Sequence, residues 1–386
     1  MDIRVDQPAL SRALRLVGRA VPSRPTIPSL AGIVLAAEGP AVTLAATDLD
    51  LALVTRVPAE VAVPGRLALP ARLLAEFVAE LPPESVRMTL DPARARLRVV
   101  GGRASASLAL LDLEAFPKLP EPDPSLTVEC PADALRTALG RVVFAAGDDP
   151  GRPTLGGILF DLSSERLDLV ATDGFRLARS HAPLAFPAAR RAIVPARAAG
   201  ELLRILAEAK TASLALAEGG NALVATTGPT TLTCRLIEGA YPDVERVIPR
   251  EWRTRVSVET TAFRRTIRLL SVFGDRHEAR VLYLSAEANM LRLRARGDAS
   301  GDAETEIEAE VEGDLQAIAL NAGLLPDLLD AVSSERLVLE WESHLRPFLI
   351  REAPKDGGAE GQSTDVWLLM PLHTPQATRA EEAAAA

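Results

Sequence analysis

Three residue types in this chain could carry chemistry. Asp48 and Asp173 sit in nearly the same setting, "LAATDLDLAL" from Leu44 to Leu53 and "LVATDGFRLA" from Leu169 to Ala178. Paired carboxylates can hold a divalent cation for hydrolysis, as in a nuclease. Cys130 and Cys234 could serve as ligands, yet neither belongs to a CxxC pair or has a histidine at metal spacing, so structural thiols are expected. His181, His277, His344 and His373 are scattered as well, and no HxxxH face exists. The chain contains no P-loop, no GxGxxG after a strand, no GxSxG elbow and no HExxH. Neither a metal nor a cofactor is expected.

The two aspartates are 125 residues apart, and that interval recurs. "LPAR" at Leu69–Arg72 returns as "VPAR" at Val194–Arg197, and "FPKL" at Phe116–Leu119 returns as "YPDV" at Tyr241–Val244. A fainter third copy, "LNAGLLPDLL" from Leu320, answers "VPARAAGELL" from Val194. Helix-like openings align at Pro8, Pro131 and Thr261. One interval shared by several landmarks marks tandem duplication, here into domains over 1–125, 126–250 and 251–373, with a flexible tail over 374–386. The aspartates then lie in different domains and cannot share an ion. Each is expected to cap its own turn through backbone N–H groups.

Those turns need elements to hold them. In "PALSRALRLVGRA", Leu10, Leu14 and Val17 form one apolar face, with Pro8 at the first turn. "PARLLAEFVAEL" supplies a second helix, and Pro326 delays the start of its counterpart in the third copy. Alternating stretches such as "AVTLAAT", "LALVTRV" and "RLRVVGG" are strands. The expected fold is α+β, each domain packing two helices on one side of antiparallel sheets of about eight strands. "KLPEPDPS" at 118–125 and "ERVIPREW" at 245–252 are expected linkers, and 296–303 and 355–364 mobile loops.

Aromatic residues are 4% of the chain against 48% hydrophobic, so the cores are aliphatic. With no signal peptide and no long apolar run, a soluble cytoplasmic protein without a membrane partner is expected. The net charge of −9 taken alone argues against nucleic acid. Its distribution argues the other way. Arg12, Arg15 and Arg19 lie on the first helix and Arg264, Arg265 and Arg268 on the fifth; the six expected helices are together positive and the remainder strongly acidic. Cationic charge is gathered on one surface.

The strings "RPTIPSL" (Arg24–Leu30), "ATDGFRL" (Ala171–Leu177), "YPDVERVIP" (Tyr241–Pro249) and "LLMPL" (Leu368–Leu372) carry a family resemblance. To about Leu372 the chain resembles the bacterial DNA sliding clamps, the beta subunits of DNA polymerase III. That resemblance implies a non-catalytic processivity factor, a head-to-tail homodimer ring with helices lining a hole and sheets outside. A heterologous contact that closes after two copies makes a ring, and edge strands at the chain ends would pair across the joint. Encircled duplex DNA is held by topology, through few phosphate contacts without sequence preference.

The resemblance also implies roles for residues. Arg24, Arg152 and Arg197 are candidate phosphate contacts. Leu108, with Leu269 and Leu270 of the other copy, are candidates for the joint, where Ala106 replaces the aromatic residue found in some relatives. Leu155, Thr172, Gly174, Phe175, Arg176, Leu177, Pro242, Arg246, Val247, Met370, Pro371 and Leu372 match a groove that takes extended peptides of the polymerase III alpha subunit, the clamp loader, ligase and repair factors. Phe175 stands where histidine is commoner and is expected to enlarge the groove's apolar floor, to which Met370 lends adaptable shape. The competing readings, a metal-dependent nuclease and a protein scaffold that never meets DNA, predict turnover and indifference to DNA topology.

Overall fold

The fold was taken from a computed structural model and is described for residues 1–217, 219–273, 280–297, 301–353 and 365–373. The expected tail over 374–386, the loop over 355–364 and His277 lie outside the described residues. Each third of the chain spells the same order of elements. The first holds β1 (Asp2–Asp6), α1 (Gln7–Val17), β2 (Gly32–Glu38), β3 (Ala41–Thr47), β4 (Leu51–Val63), β5 (Gly65–Pro70), α2 (Ala71–Ala79), β6 (Ser85–Asp91), β7 (Arg96–Gly101) and β8 (Ala104–Ala109). The second holds β9 (Pro122–Pro131), α3 (Ala132–Gly140), β10 (Gly157–Leu162), β11 (Leu167–Thr172), β12 (Arg176–Ala182), β13 (Arg190–Pro195), α4 (Ala196–Leu206), β14 (Thr211–Ala217), β15 (Ala222–Thr227) and β16 (Thr230–Arg235). The third holds β17 (Thr254–Glu259), α5 (Thr260–Leu270), β18 (Val281–Glu287), β19 (Met290–Gly297), β20 (Gly301–Gly313), β21 (Ala317–Asn321), α6 (Leu325–Ala331), β22 (Arg336–Trp341), β23 (Phe348–Glu352) and β24 (Val366–Leu369).

Local sequence explains the helices. The Asp6 carboxylate caps α1 by accepting from the Ala9 N–H at 3.1 Å, Pro8 occupies the first turn, and Leu10, Leu14 and Val17 are buried. Glu259 caps α5 in the same way, accepting from Thr261 and Ala262. In the third repeat a 3-10 turn over Ala322–Leu324 precedes α6, which starts only at Leu325 with Pro326 in its first turn. A proline has no N–H to give an earlier turn, and a first turn asks for none.

The strands form two antiparallel sheets of twelve. One runs β8-β7-β6-β1-β4-β16-β15-β14-β9, with β3, β2 and β5 continuing from β4; the other runs β13-β10-β11-β12-β24-β23-β22-β17-β20-β19-β18-β21. Two compact units result, 1–135 with 186–188 and 200–236, and 136–185 with 189–199 and 237 onward. Three sequence repeats thus make two units, because hydrogen bonding crosses repeat boundaries. β16 zips onto β4, Thr230 opposite Thr55 through Cys234 opposite Leu51, and β24 zips onto β12, Leu369 opposite Arg176 through Val366 opposite Arg179.

Two expected loops are partly strand. Pro122 and Pro124 of the linker over 118–125 belong to β9, which ends its sheet and so needs no N–H on its outer side. The segment over 296–303 closes the β19–β20 hairpin, Gly297 opposite Gly301, with 298–300 outside the described residues.

Cys130 and Cys234 are both buried on these strands, and loss of water around a thiolate raises both pKa values, that of Cys234 to about 12. Their thiolate fractions at pH 8 are correspondingly small. A thiolate-directed reagent at pH 8 should therefore leave the native protein unlabelled and label both cysteines in denaturant; rapid labelling of native Cys234 would contradict this packing.

Candidate functional site

The duplicated Asp turns have one hydrogen-bond pattern. In the first, Asp48 Oδ1 accepts from the N–H groups of Asp50 (3.1 Å) and Leu51 (2.8 Å), and the Thr47 hydroxyl donates to Leu51 O. In the second, Asp173 Oδ1 accepts from Phe175 and Arg176 (both 2.8 Å), and the Thr172 hydroxyl donates to Arg176 O. The carboxylates therefore cap turns, as the sequence implies, and no metal-holding group of His, Cys, Asp or Glu occurs among the described residues. Both turns need a positive φ at one position. Gly174 takes it at 93°, whereas Leu49 is held at 85°, where a side chain is strained.

Around the second turn an apolar floor collects. Leu159, Val170, Leu177, Ile193, Val244, Leu349, Val366 and Leu368 pack together, with Tyr241 and Ile248 against them. The Tyr241 hydroxyl accepts from the Thr172 N–H at 3.1 Å, and burial pushes its pKa far above the ordinary tyrosine range, so it stays a neutral bridge. Arg176 is held by Asp173 and Asp327, each at 3.0 Å, and its guanidinium lies 5.3 Å from the Phe144 ring centre. It is a strut of the wall. Above this floor stand exposed groups: Phe175 at 64%, Met370 at 36%, Val247, Pro242 and Arg246. The Met370 N–H donates to Phe175 O at 2.8 Å, which brings the segment after β24 to the turn, and Leu372 N–H donates to Ala319 O.

The residues assigned to a groove from sequence all belong to one compact unit and differ in exposure. Leu155, Thr172, Leu177 and Pro371 are buried, Arg176 and Leu372 are partly covered, and Phe175, Pro242, Arg246, Val247 and Met370 face solvent. Phe175 corrects the expectation of an enlarged floor, since its ring stands at the rim. Sequence reasoning missed Phe144 and Asp327, which brace Arg176, because no local pattern links residues so far apart. The first repeat carries different side chains at the equivalent positions. There Asp50 replaces Phe175 and Arg235 replaces Met370, the Arg235 N–H donating to Asp50 O at 2.8 Å as Met370 does to Phe175.

Of the remaining candidates, Arg24 and Arg197 are exposed, and Arg152 is paired with Asp149 at 2.9 Å. Leu108 is half-buried on β8. Leu269 is 56% exposed, but Leu270 is 1% exposed and belongs to its unit's core, which corrects its placement at a joint. Neighbours on a helix point about 100° apart, and the partner of Leu269 on the open face is Val272, one turn on.

Comparison with known proteins names this arrangement. The DNA polymerase III beta subunit families match in order, N-terminal domain over residues 1–120, central domain over 129–243 and C-terminal domain over 245–360. The chain belongs to the DNA polymerase III beta subunit family, the non-catalytic clamps with three tandem domains. The beta sliding clamp of Pseudomonas putida is 31% identical over 359 residues, covering 92% of this chain and 97% of its own. The sliding clamp of Bacillus subtilis superposes with a TM-score of 0.91 at 26% identity, covering 97% and 99% of the two chains. A Pseudomonas aeruginosa clamp, crystallised with griselimycin, reaches 0.88 at 29% identity, covering 97% and 100%.

The strained and unstrained turns predict opposite responses. A Cβ on Gly174 would fall 2.8 Å from Arg152 Nη1 at a φ that side chains avoid, so Gly174→Ala should lower unfolding free energy by about 1–3 kcal/mol. Leu49→Gly should be neutral or gain up to about 1 kcal/mol, as relief of φ strain offsets glycine's greater unfolded freedom. Urea melts of the two variants read the difference directly.

Proposed function

We propose that two copies of this chain close head to tail around duplex DNA and slide along it, tethering the replicative polymerase and other partners by peptides that enter the groove beside Gly174. The observation that carries this reading is strand docking that happens twice and is left open once. The last strands of the second and third repeats, β16 and β24, dock on the fourth strands of the preceding repeats, β4 and β12. The last strand of the first repeat, β8, ends its sheet, and the fourth strand of the third, β20, pairs with β17 only over Ala309–Gly313 on one side. Among the described residues the rest of that edge has no strand partner. β8 of one copy therefore completes β20 of the next, and two such joints pair both of these edges in both copies. α5 packs on β20, and the exposed Leu269 on it and Val272 just past its end are placed to meet Leu108 of the other copy on this reading.

Closure supplies processivity without tight binding, and Arg24, Arg152 and Arg197 serve as weak phosphate contacts on this reading. The groove accepts an extended peptide, with apolar anchors on the Leu155–Leu177 floor and a further side chain against Phe175, Val247 and Met370. The Pseudomonas aeruginosa clamp holding griselimycin is a relative that takes a ligand. The work belongs in the cytoplasm, where the bacterial chromosome is copied.

Protein loaded on a nicked circle should remain bound through gel filtration and run off once the circle is cut; equal retention on linear DNA would refute encirclement. Leu269→Asp with Val272→Asp should shift the protein from dimer to monomer by light scattering. Met370→Ala should weaken a polymerase C-terminal peptide about tenfold or more, through loss of about 1–3 kcal/mol of buried contact, while leaving retention on circles intact.

A further inference from the structure

A hollow of about 140 Å³ shares Leu349 with the groove's apolar floor. One wall is the segment from Pro249 to Trp252, which follows Val247 of the groove rim; the other is the face of β17, β22 and β23. Strand register builds that face, Arg255 standing opposite Glu340 and Glu340 opposite Leu349. Side chains alternate along a strand, so Arg351 lies on the same side as Leu349. The Trp252 ring closes the hollow, 5.4 Å from the Arg255 guanidinium carbon. Gly313 makes room for it, since a Cβ there would fall 3.2 Å from Trp252 Cζ3 and against the Arg253 carbonyl.

The charges in this hollow do not balance. Glu340 is buried, and Arg255 and Arg351 each approach it through Nε at 3.3 Å, one at each carboxylate oxygen. One carboxylate thus serves two guanidinium groups, and the Nη groups of both have no hydrogen-bond partner among the described residues. Arg250 lines the same hollow and makes no ion pair among the described residues. The other lining carboxylate, Glu251, is exposed, where water and salt screen it. The Arg351 side chain is only 20% exposed, so water compensates its charge poorly. An entering anion would meet guanidinium N–H donors in the paired arrangement that suits a carboxylate.

We propose that this hollow is a subsite for a carboxylate of the partner chain seated in the groove, either an acidic side chain or the partner's own C-terminus. Continuity with the groove selects this occupant. Val247 and Trp252 are five residues apart, at most about 18 Å along an extended chain, so a peptide leaving the rim reaches the hollow within a few residues. The source of the carboxylate rests on the function proposed above; the excess charge of the hollow does not.

Two probes test the subsite on the full chain, in the parent, Arg250→Gln and Glu340→Gln. Iodide alone reads the hollow without the groove. Trp341 and Trp367 are buried, so collisional quenching of tryptophan emission reports Trp252. The iodide quenching constant should fall about twofold in Arg250→Gln and rise in Glu340→Gln, with quenching by neutral acrylamide unchanged. The second probe is the polymerase C-terminal peptide, extended at either end by two glutamates or two glutamines, its last carboxyl group free or amidated, and followed by fluorescence anisotropy. The parent should prefer one carboxylate-bearing form about threefold, a preference that shrinks with salt and in Arg250→Gln and grows in Glu340→Gln. Glutamate over glutamine assigns an acidic side chain, and a free over an amidated end assigns the terminus. Growth in Glu340→Gln is a sign that a merely structural carboxylate would not give. Equal binding of all forms by the parent overturns the carboxylate subsite, and identical iodide quenching in the three proteins overturns the excess charge. Failure of every peptide to bind would fault the groove, and the iodide series would still decide the hollow.

Discussion

The docking of a repeat's last strand on the fourth strand of its neighbour is the interaction on which the rest of this molecule depends. An antiparallel edge presents a row of unpaired N–H and C=O groups that must find partners in strand or water. β16 meets that demand on β4 and β24 meets it on β12, so the three repeats are joined by hydrogen bonds and not merely tethered by loops. The same act draws Met370 to the Asp173 turn, since it follows directly on β24 and bonds to Phe175. The same strand docking thus sets both the architecture and the place of Met370 beside Phe175. A repeat that docked differently would leave neither.

Duplication also lets equal backbones diverge in side chains. The Asp48 and Asp173 turns share their hydrogen bonds, yet one is dressed with Leu49, Asp50 and Arg235 and the other with Gly174, Phe175 and Met370. Glycine relieves the second turn of strain, and the aromatic and thioether side chains expose an adaptable apolar rim. The two strand-docked joints diverge in the same way, the hydroxyls of Thr55 and Thr230 meeting in one, Arg141 pairing with Asp365 and Glu352 in the other. The backbone fixes where a site can be, and a few substitutions decide what it can hold.

Much of this was legible before the fold was known. The repeat interval, the buried face of α1, the delayed start of α6 and the capping role of both aspartates follow from local pattern, because each depends on residues within one turn or one period. What eluded the sequence depends on pairing at long range. Pro122 and Pro124 suggest a linker until β9 is known to end a sheet, where their missing N–H groups do no harm. Arg141 and Asp365 meet across more than half the chain, and nothing near either residue announces the other. Leu269 and Leu270 look alike in sequence, but one faces solvent and the other the core, because a helix turns about 100° per residue. The family strings carry the groove expectation, while the burial of Leu155 and Leu177 and the exposure of Phe175 and Met370 needed the packed structure.

Hydrogen–deuterium exchange at the open edges of β8 and β20 tests strand-docked closure most directly. The amides of Ala104–Ala109 and of residues 301–308 should become protected together when the chains assemble and lose that protection together on dilution to monomer. Assembly that leaves the exchange of both segments unchanged would contradict closure through β8 and β20.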